Sequence, residues 1–206
     1  MKLDKLLFLL ISLVFFIHCG SRNTMVRKHY LLETKALLDQ QLIGVAHPFA
    51  YNAEIRDFLI EKPYQDLRIP MRSQTNELVY YFYHYWAEKP SEAVTDFVYH
   101  LFLQANIFQR CSRTSSGFAD IIISGEIRTM ERQRIKKNDF VHLSGKMVLT
   151  EGKTAKAIIE YEFDRLVELK KNKSMNGFAE LVSKTLFDET EEFILRVADY
   201  YLYPQG

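Results

Sequence analysis

The residue most open to chemical modification is Cys19, which follows an apolar run near the start of the chain. Lys2 and Lys5 precede residues 6–17, which are almost entirely apolar. At about 1.5 Å per residue, a helix over this run reaches roughly 18 Å and falls short of a hydrocarbon core of about 30 Å. A charged start followed by a short apolar run predicts a secretion signal over residues 1–18.

A secretion signal that stops at a cysteine resembles a bacterial lipoprotein signal. In that class the peptide is cut before the cysteine, whose thiol then carries the lipid. Cys19 is therefore the expected lipidation site, and residues 19–28 are the expected tether. The residue before the cysteine is usually small, whereas this chain has His18. The alternative is a signal that is retained or cut elsewhere, with an incidental cysteine. Gly20 lacks the aspartate that holds many lipoproteins at the inner membrane, which favours the outer membrane.

No other residues have the spacing of a catalytic or metal site. Gly152-Lys153-Thr154 matches the end of a phosphate-binding loop, but the motif requires glycine where this chain has Met147. The six histidines are not spaced as metal ligands, and the sequence has neither a G-x-S-x-G elbow nor an H-E-x-x-H motif. We therefore expect a protein that is not an enzyme and that uses no cofactor or metal ion.

Charge and composition narrow the class of protein further. The chain has 27 lysines and arginines against 26 aspartates and glutamates, whereas a nucleic-acid-binding protein would have a basic excess. Only 8 glycines and 5 prolines occur, which is typical of a globular domain. We expect one domain over residues 29–206 and no nucleic-acid partner.

The spacing of apolar residues predicts an α+β fold. Because sheets of this kind bury one face against helices, we expect a mixed, mostly antiparallel sheet with two main helices packed on one face. The segment 174–201 has the apolar stripe of one long helix or of two in series. The other predicted elements are strands at 78–86, 118–130, 139–150 and 154–164 and a helix at 90–108.

Two positively charged segments are expected at one end of this sheet. If strand 78–86 lies parallel to strand 118–130 in a right-handed βαβ unit, its last residues lie at the same end as the predicted loops 131–138 and 167–173. These loops would form a basic pole that contacts anionic lipid or an acidic partner, or they are simply two solvated loops. The basic pole consists of Arg132, Arg134, Lys136, Lys137, Lys170, Lys171 and Lys173.

The strand at 78–86 is the second distinctive feature, because it is aromatic on both faces. Strict alternation places Phe82 and Trp86 on one face and the odd-numbered tyrosines on the other. Exposed Tyr and Trp are typical of recognition surfaces, so one interpretation is a surface for a partner or for a second copy of the chain in a homo-oligomer. The other interpretation is a half-buried core strand. The candidate contact residues are Arg72, Tyr81, Tyr83, Tyr85 and Trp86.

The chain resembles the auxiliary lipoprotein family of ABC-type transport systems, which includes the PqiC-like proteins that accompany MCE lipid-transport proteins. The resemblance rests on Tyr30-Leu31-Leu32 and on Arg72 followed by Glu77-Leu78-Val79-Tyr80-Tyr81-Phe82-Tyr83-His84-Tyr85-Trp86-Ala87-Glu88-Lys89-Pro90. It covers nearly all of the mature chain, and the block from 72 to 90 is its most specific part. A proline-rich stretch that is usual between the first strands is reduced here to Pro48 and Pro63.

This resemblance implies an α+β domain similar to the N-terminal domain of TolB, in a periplasmic lipoprotein that serves phospholipid traffic between two membranes. It implies no catalytic residues. The implied partners are MCE-domain or ABC transporter components, with the membrane reached through the lipid anchor. Two alternatives are a periplasmic carrier that itself binds lipid between sheet and helices, and a structural envelope lipoprotein without a transport role.

Overall fold

A computed structural model describes residues 25–33, 47–113, 119–170 and 172–203 of the chain. Cys19, the signal at 1–18 and most of the tether lie outside these residues, so the lipidation site stays a prediction. Among the residues described, no helix is both long enough and apolar enough to cross a membrane.

The strands form one mixed sheet that is organised around a single long strand, β7. On one side of β7 the strands β2, β3 and β4 pair with it in parallel, one after another, and on its other side β8 and β9 follow in antiparallel order. β6 extends the sheet beyond β2, and β5 and β1 extend it beyond β4. The strands are β1 (Lys28–Tyr30), β2 (Phe49–Ile55), β3 (Leu59–Ile60), β4 (Arg68–Gln74), β5 (Glu77–Trp86), β6 (Phe108–Ser112), β7 (Ile121–Ile135), β8 (Asn138–Glu151) and β9 (Ala157–Glu168).

The long antiparallel ladders β7–β8 and β8–β9 join the strands predicted at 118–130, 139–150 and 154–164 into a three-strand meander. Period-two alternation places one set of side chains in the core, because successive residues of a strand point to opposite faces. On β9 the buried members of this set are Tyr161 and Phe163. On β8 they are Val141, Leu143, Met147 and Leu149.

In the described part of the chain, two α-helices pack beside this sheet, α1 (Pro90–Ala105) and α2 (Met175–Leu202). Pro90 occupies the first turn of α1, where its missing N–H is not needed. Asn106 then adopts a left-handed conformation with φ of 52°, which ends the helix. The predicted helix at 90–108 was therefore too long, since Phe108 already begins β6. α2 is one continuous helix whose N-cap, Ser174, accepts a hydrogen bond from the backbone N–H of Gly177.

The two helices meet each other and the sheet in one hydrophobic core, which confirms the α+β fold class. Phe102 of α1 lies 6.1 Å from Phe193 of α2, and Phe193 stacks at 6.2 Å on Tyr161 of β9, measured between ring centroids. Phe178 of α2 lies 6.1 Å from Trp86 at the end of β5. These contacts place both helices on the same face of the sheet.

The predicted parallel βαβ unit is wrong. β5 pairs antiparallel with β4, and β4 pairs parallel with β7, so β5 and β7 run in opposite directions with β4 between them. Val79 lies opposite Met71, which lies opposite Arg132. From Val79 onward, β5 runs away from the end of the sheet where β7 finishes. Trp86 and its neighbours therefore do not lie at that end.

The predicted loop at 131–138 is also wrong, because most of it belongs to strands. β7 continues to Ile135 and β8 begins at Asn138, which leaves a tight turn formed by Lys136 and Lys137. Lys136 has φ of 57°, the left-handed conformation that short hairpin turns demand. The charged residues of this segment therefore lie at the ends of two strands and in one turn.

Candidate functional site

The aromatic strand β5 departs from regular alternation in its centre. Arg68 of β4 lies opposite Tyr85, but Pro70, only two residues later, lies opposite Tyr80. β5 therefore has extra residues between these pairs, which is a bulge, and the missing N–H of Pro70 is tolerated at such an irregularity. Because a bulge shifts which side chains face the core, the face assignment from strict alternation does not hold across it.

Two of the predicted contact residues face the interior. Trp86 is 2% exposed and belongs to the hydrophobic core, so it cannot form part of an outer surface, and the prediction is wrong for this residue. Tyr81 packs partly buried against the same core, with its hydroxyl 3.1 Å from the sulfur of Met71. Both side chains stabilise the attachment of β5 to the domain.

The outer surface of β5 is formed by an aromatic ridge, defined here as Phe82, Tyr83 and Tyr85. Phe82 is 72% exposed, and its ring lies 4.9 Å from that of Tyr83 in an edge-to-face contact. The hydroxyl of Tyr85 donates to the carbonyl oxygen of Phe82 at 3.0 Å. Sequence analysis missed Phe82, because only the bulge turns this side chain outward and no sequence signal marks the bulge.

The ridge is continuous with the segment in which the tether ends. His29 of β1 lies 5.6 Å from Tyr85 between ring centroids, and the guanidinium of Arg27 lies over the same ring at 5.6 Å. β1 pairs only with residues 84–86 of β5, so in the described part of the chain residues 77–83 have a neighbouring strand on the β4 side alone. An edge of this kind offers unpaired backbone groups to another strand.

Arg72 does not belong to the ridge, because it neutralises a buried carboxylate. Its Nε donates to Glu131 Oε1 at 2.6 Å and its Nη2 donates to Oε2 at 3.0 Å, while the Tyr64 hydroxyl donates to Oε2 at 2.7 Å. The side chain of Glu131 is 0% exposed. Burial alone would raise the pKa of Glu131, but the surrounding donors and His142 hold it below its usual value. Arg72 therefore has a structural role, and its prediction as a partner contact is not supported.

The basic pole consists partly of groups that are already paired. Arg132 is buried and donates to Asp139 Oδ2 at 2.5 Å, and Arg134 donates to Asp139 Oδ1 at 2.8 Å. Burial raises the pKa of Asp139, and the two guanidinium groups lower it by more. Arg132 is shielded from solvent. Arg134 shares the single carboxylate of Asp139 with it and stays about half exposed, so the three groups together keep a net charge of +1.

The remaining lysines of the pole do lie at one end of the sheet. Leu169 N–H donates to the Asp139 carbonyl at 2.8 Å, and Arg132 donates to the Lys173 carbonyl at 3.0 Å, which brings the segment after β9 beside the β7–β8 turn. Lys171 lies outside the described residues. The exposed members of the pole are Arg134, Lys136, Lys137, Lys170 and Lys173.

A surface cavity of about 680 Å³ lies between β1 and the first turns of α2. Its lining includes Tyr30, Leu31, Ala179 and Ser183. Tyr30 also joins the cavity wall to the ridge strand, since its hydroxyl lies 2.8 Å from His84 Nδ1. In the residues that the structure describes, no group of three or more His, Cys, Asp or Glu side chains is arranged to hold a metal ion.

Comparison with known proteins finds similar folds but no matching sequence family. No family model matches the chain, and no curated protein matches it in sequence. The fold is similar to that of protein XCC0632 from Xanthomonas campestris, of the DUF330 family, with a TM-score of 0.65 at 15% identity over 76% of this chain and 88% of that one. A structure described as an uncharacterized protein matches with a TM-score of 0.64 at 11% identity, over 84% of this chain and 99% of that one. At these identities the shared property is the fold.

Proposed function

We propose that this chain is a non-enzymatic auxiliary lipoprotein of the cell envelope that docks a periplasmic component of an ABC/MCE-type lipid transport system. The observation that carries the proposal is the fold shared with the DUF330 protein over most of both chains, since PqiC-like proteins are members of that family. Independent support comes from the resemblance of the block at 72–90 and from the cysteine that follows the apolar run.

The aromatic ridge is the docking surface in this proposal. Phe82 combines a large apolar area with high exposure, and aromatic side chains dominate the binding energy of protein interfaces. The backbone edge of residues 77–83, which no described strand covers, would receive an extended segment of the partner. The ridge lies next to β1, so a partner bound there is held close to the tether and hence to the membrane.

We expect Phe82→Ser to abolish co-purification of the transporter component without unfolding the domain. The side chain makes few contacts inside the domain, so its loss removes interface area while leaving the core intact. The measurement is an affinity pull-down of tagged full-length chain from envelope extracts, with the unfolding midpoint of each variant measured in parallel.

Leu59→Ser is the matched control for this experiment. Leu59 is an apolar residue on β3 with 70% exposure, away from the ridge, and its replacement should retain the partner. Full recovery of the partner with Phe82→Ser would contradict docking at the ridge. A change in the mass of the purified protein with Phe82→Ser, measured by light scattering, would show instead that the ridge joins copies of this chain.

The anchor is tested by metabolic labelling with a fatty acid. We expect label on the wild-type chain and none on Cys19→Ala, because acylation requires the thiol. Each CH₂ group of the attached chains that is buried in the membrane then contributes about 0.8 kcal/mol to anchoring. Cys111→Ala is the matched control, since burial raises the pKa of that thiol to about 12. Label that persists in Cys19→Ala would contradict a lipoprotein anchor at this position.

The cavity beside β1 favours one second candidate, a carrier that itself binds lipid. Tyr30, Leu31 and Ala179 give the cavity an apolar wall, which suits an acyl chain. Mass spectrometry of protein purified without detergent distinguishes the two functions. Lipid that co-purifies with the wild type and is lost with Ala179→Trp, which would fill the cavity, supports the carrier.

A further inference from the structure

The exposed cations of the basic pole form a positively charged surface that docking at the aromatic ridge does not use. Arg134, Lys136 and Lys137 lie at the β7–β8 turn, and Lys170 and Lys173 follow β9. In the described part of the chain, none of the four lysines forms an ion pair. Their charges are therefore open to an anionic surface.

Nearby carboxylates offset only part of this charge. Glu168 and Glu180 line a surface cleft together with Lys170, and Glu77 begins β5 opposite the end of β4. Asp139 is shared between two arginines, as described above. The cations of the pole still outnumber these carboxylates, so this end of the sheet keeps a positive charge.

The direction of β1 shows from which end of the sheet the chain enters the domain. β1 pairs in parallel with the last residues of β5, with Lys28 opposite His84. β5 begins at the end of the sheet where β7 finishes, because Glu77 lies opposite Gln74 at the end of β4 and β4 runs parallel to β7. β1 therefore runs away from the basic pole, and the chain that precedes Lys28 joins β1 from the side of the pole.

The length of the tether limits how far the pole can stand from the anchor. Cys19 precedes Lys28 by nine residues, which span at most about 32 Å when fully extended. From the level of His84 back to Glu77, β5 covers about 23 Å at roughly 3.3 Å per residue. On this route Cys19 reaches a membrane beyond the pole only when the pole stands within about 10 Å of it, which is roughly one screening length in physiological salt.

We propose that the basic pole lies against anionic phospholipid headgroups of the membrane that holds Cys19. The inference rests on the lipid anchor proposed above, which brings the domain to the surface, while the pole orients it there. Each lysine close to an anionic surface strengthens the contact about fivefold. In this orientation the β7–β8 turn faces the bilayer. The β8–β9 turn, which carries the exposed Lys153 and Lys156, points away from it.

The test is an acetylation footprint of the lipidated wild-type chain inserted into two kinds of vesicle, phosphatidylcholine alone and phosphatidylcholine mixed with phosphatidylglycerol. A water-soluble reagent acetylates exposed lysines, and mass spectrometry gives the rate at each site. Relative to Lys153, we expect Lys137 and Lys170 to react about fivefold more slowly on the anionic vesicles than on the neutral ones. The difference should vanish in about 1 M salt, where the screening length falls to roughly 3 Å.

A pair of double variants separates the charge of the pole from the total charge of the domain. Lys137→Glu combined with Lys170→Glu should remove the protection of the remaining pole lysines on anionic vesicles. Lys153→Glu combined with Lys156→Glu is the matched control, because it makes the same change of charge at the opposite end of the sheet, and it should leave the protection intact. All four side chains are exposed, so neither pair should change the unfolding midpoint.

Equal reactivity of the pole lysines on the two kinds of vesicle would overturn the proposal and would leave an acidic protein as the ligand of the pole. Equal protection at both ends of the sheet would also overturn it, because the domain would then have no preferred orientation. A wild-type chain without fatty-acid label overturns the anchor and the orientation together, whereas a labelled chain with unprotected pole lysines overturns the orientation alone. Phe82→Ser should give the wild-type footprint, so the outcome is independent of docking at the aromatic ridge.

Discussion

Replacement of Arg72 with methionine is expected to destabilise the domain by about 3 kcal/mol at pH 7. Glu131 is fully buried and Arg72 makes both of its charged hydrogen bonds, so the variant leaves a buried carboxylate without its principal counter-charge. Removing one partner of a buried ion pair costs roughly 3–5 kcal/mol, and we take the lower end because the Arg72 side chain is 26% exposed. Denaturant unfolding at equilibrium measures the loss.

The loss of unfolding free energy in Arg72→Met should depend on pH. In the wild type the pKa of Glu131 is lowered, so its contribution to stability is present above the pKa of the unfolded chain and is lost as pH falls through the folded value. In Arg72→Met, burial raises the pKa of Glu131 instead, and the carboxyl takes up a proton more readily. The difference in unfolding free energy should therefore be largest at pH 7 and should shrink as pH falls towards the ordinary glutamate pKa of about 4.3.

Protonation of His142 should also reduce the destabilisation of Arg72→Met as pH falls. Its Nδ1 lies 3.6 Å from Glu131 Oε1, and its Nε2 lies 2.9 Å from Asp164 Oδ1. The pKa of His142 is raised, first by Glu131 and then by Asp164. Its protonation in mild acid brings a positive charge to the carboxylate that Arg72 has left, which should restore part of the lost stability.

Arg128→Met is the matched control. Arg128 also bonds two carboxylates, Glu126 at 2.7 Å and Glu162 at 2.8 Å, but its side chain is 41% exposed. Water replaces the lost charge at such a site, so the unfolding midpoint should stay within the error of measurement. Equal destabilisation by the two substitutions, or a loss in Arg72→Met that does not change with pH, would show that Arg72 matters through packing alone.

Local patterns were enough to predict the elements whose partners are near in sequence. Apolar and polar residues alternate along β8 and β9 because one face of each strand is buried. Each of these strands also pairs with a strand next to it in sequence. The helices were predictable from the apolar stripe of one face. The end of α1 was not, since Asn106 and the five-residue strand β6 that follows leave no room for the last turn that the apolar spacing suggested.

The order of strands depends on pairings that no local pattern contains. β4 inserts between β5 and β7 because residues 71 and 72 pair with 132 and 133, about sixty positions later. A similar distance in sequence separates Arg72 from Glu131. Because the sequence did not show that Glu131 binds Arg72, Arg72 was predicted to contact a partner. Arg132 was placed in a basic pole because the sequence did not show its pairing with Asp139, which lies across the β7–β8 turn. Sequence therefore located the aromatic strand but not which of its side chains face outward.

Replacement of Trp86 with alanine is expected to destabilise the domain by about 3–5 kcal/mol, the usual cost of removing a large buried aromatic side chain. Trp86 is 2% exposed and packs on Phe178 near the start of α2, so the cavity would loosen both the end of β5 and the first turns of that helix. Trp86→Phe should lose much less, because it keeps an aromatic ring there and removes the buried indole N–H, for which the described residues supply no hydrogen-bond partner.

The pair Trp86→Ala and Phe82→Ser then separates folding from docking on one strand. Phe82→Ser should keep the unfolding midpoint and lose the partner, whereas Trp86→Phe should keep both the partner and most of the stability. Trp86→Ala should lose the partner only in proportion to the fraction of chain unfolded, which a pull-down at two temperatures measures. If Trp86→Phe abolishes docking while the domain stays folded, the indole itself contacts the partner, and β5 must open on binding to expose it.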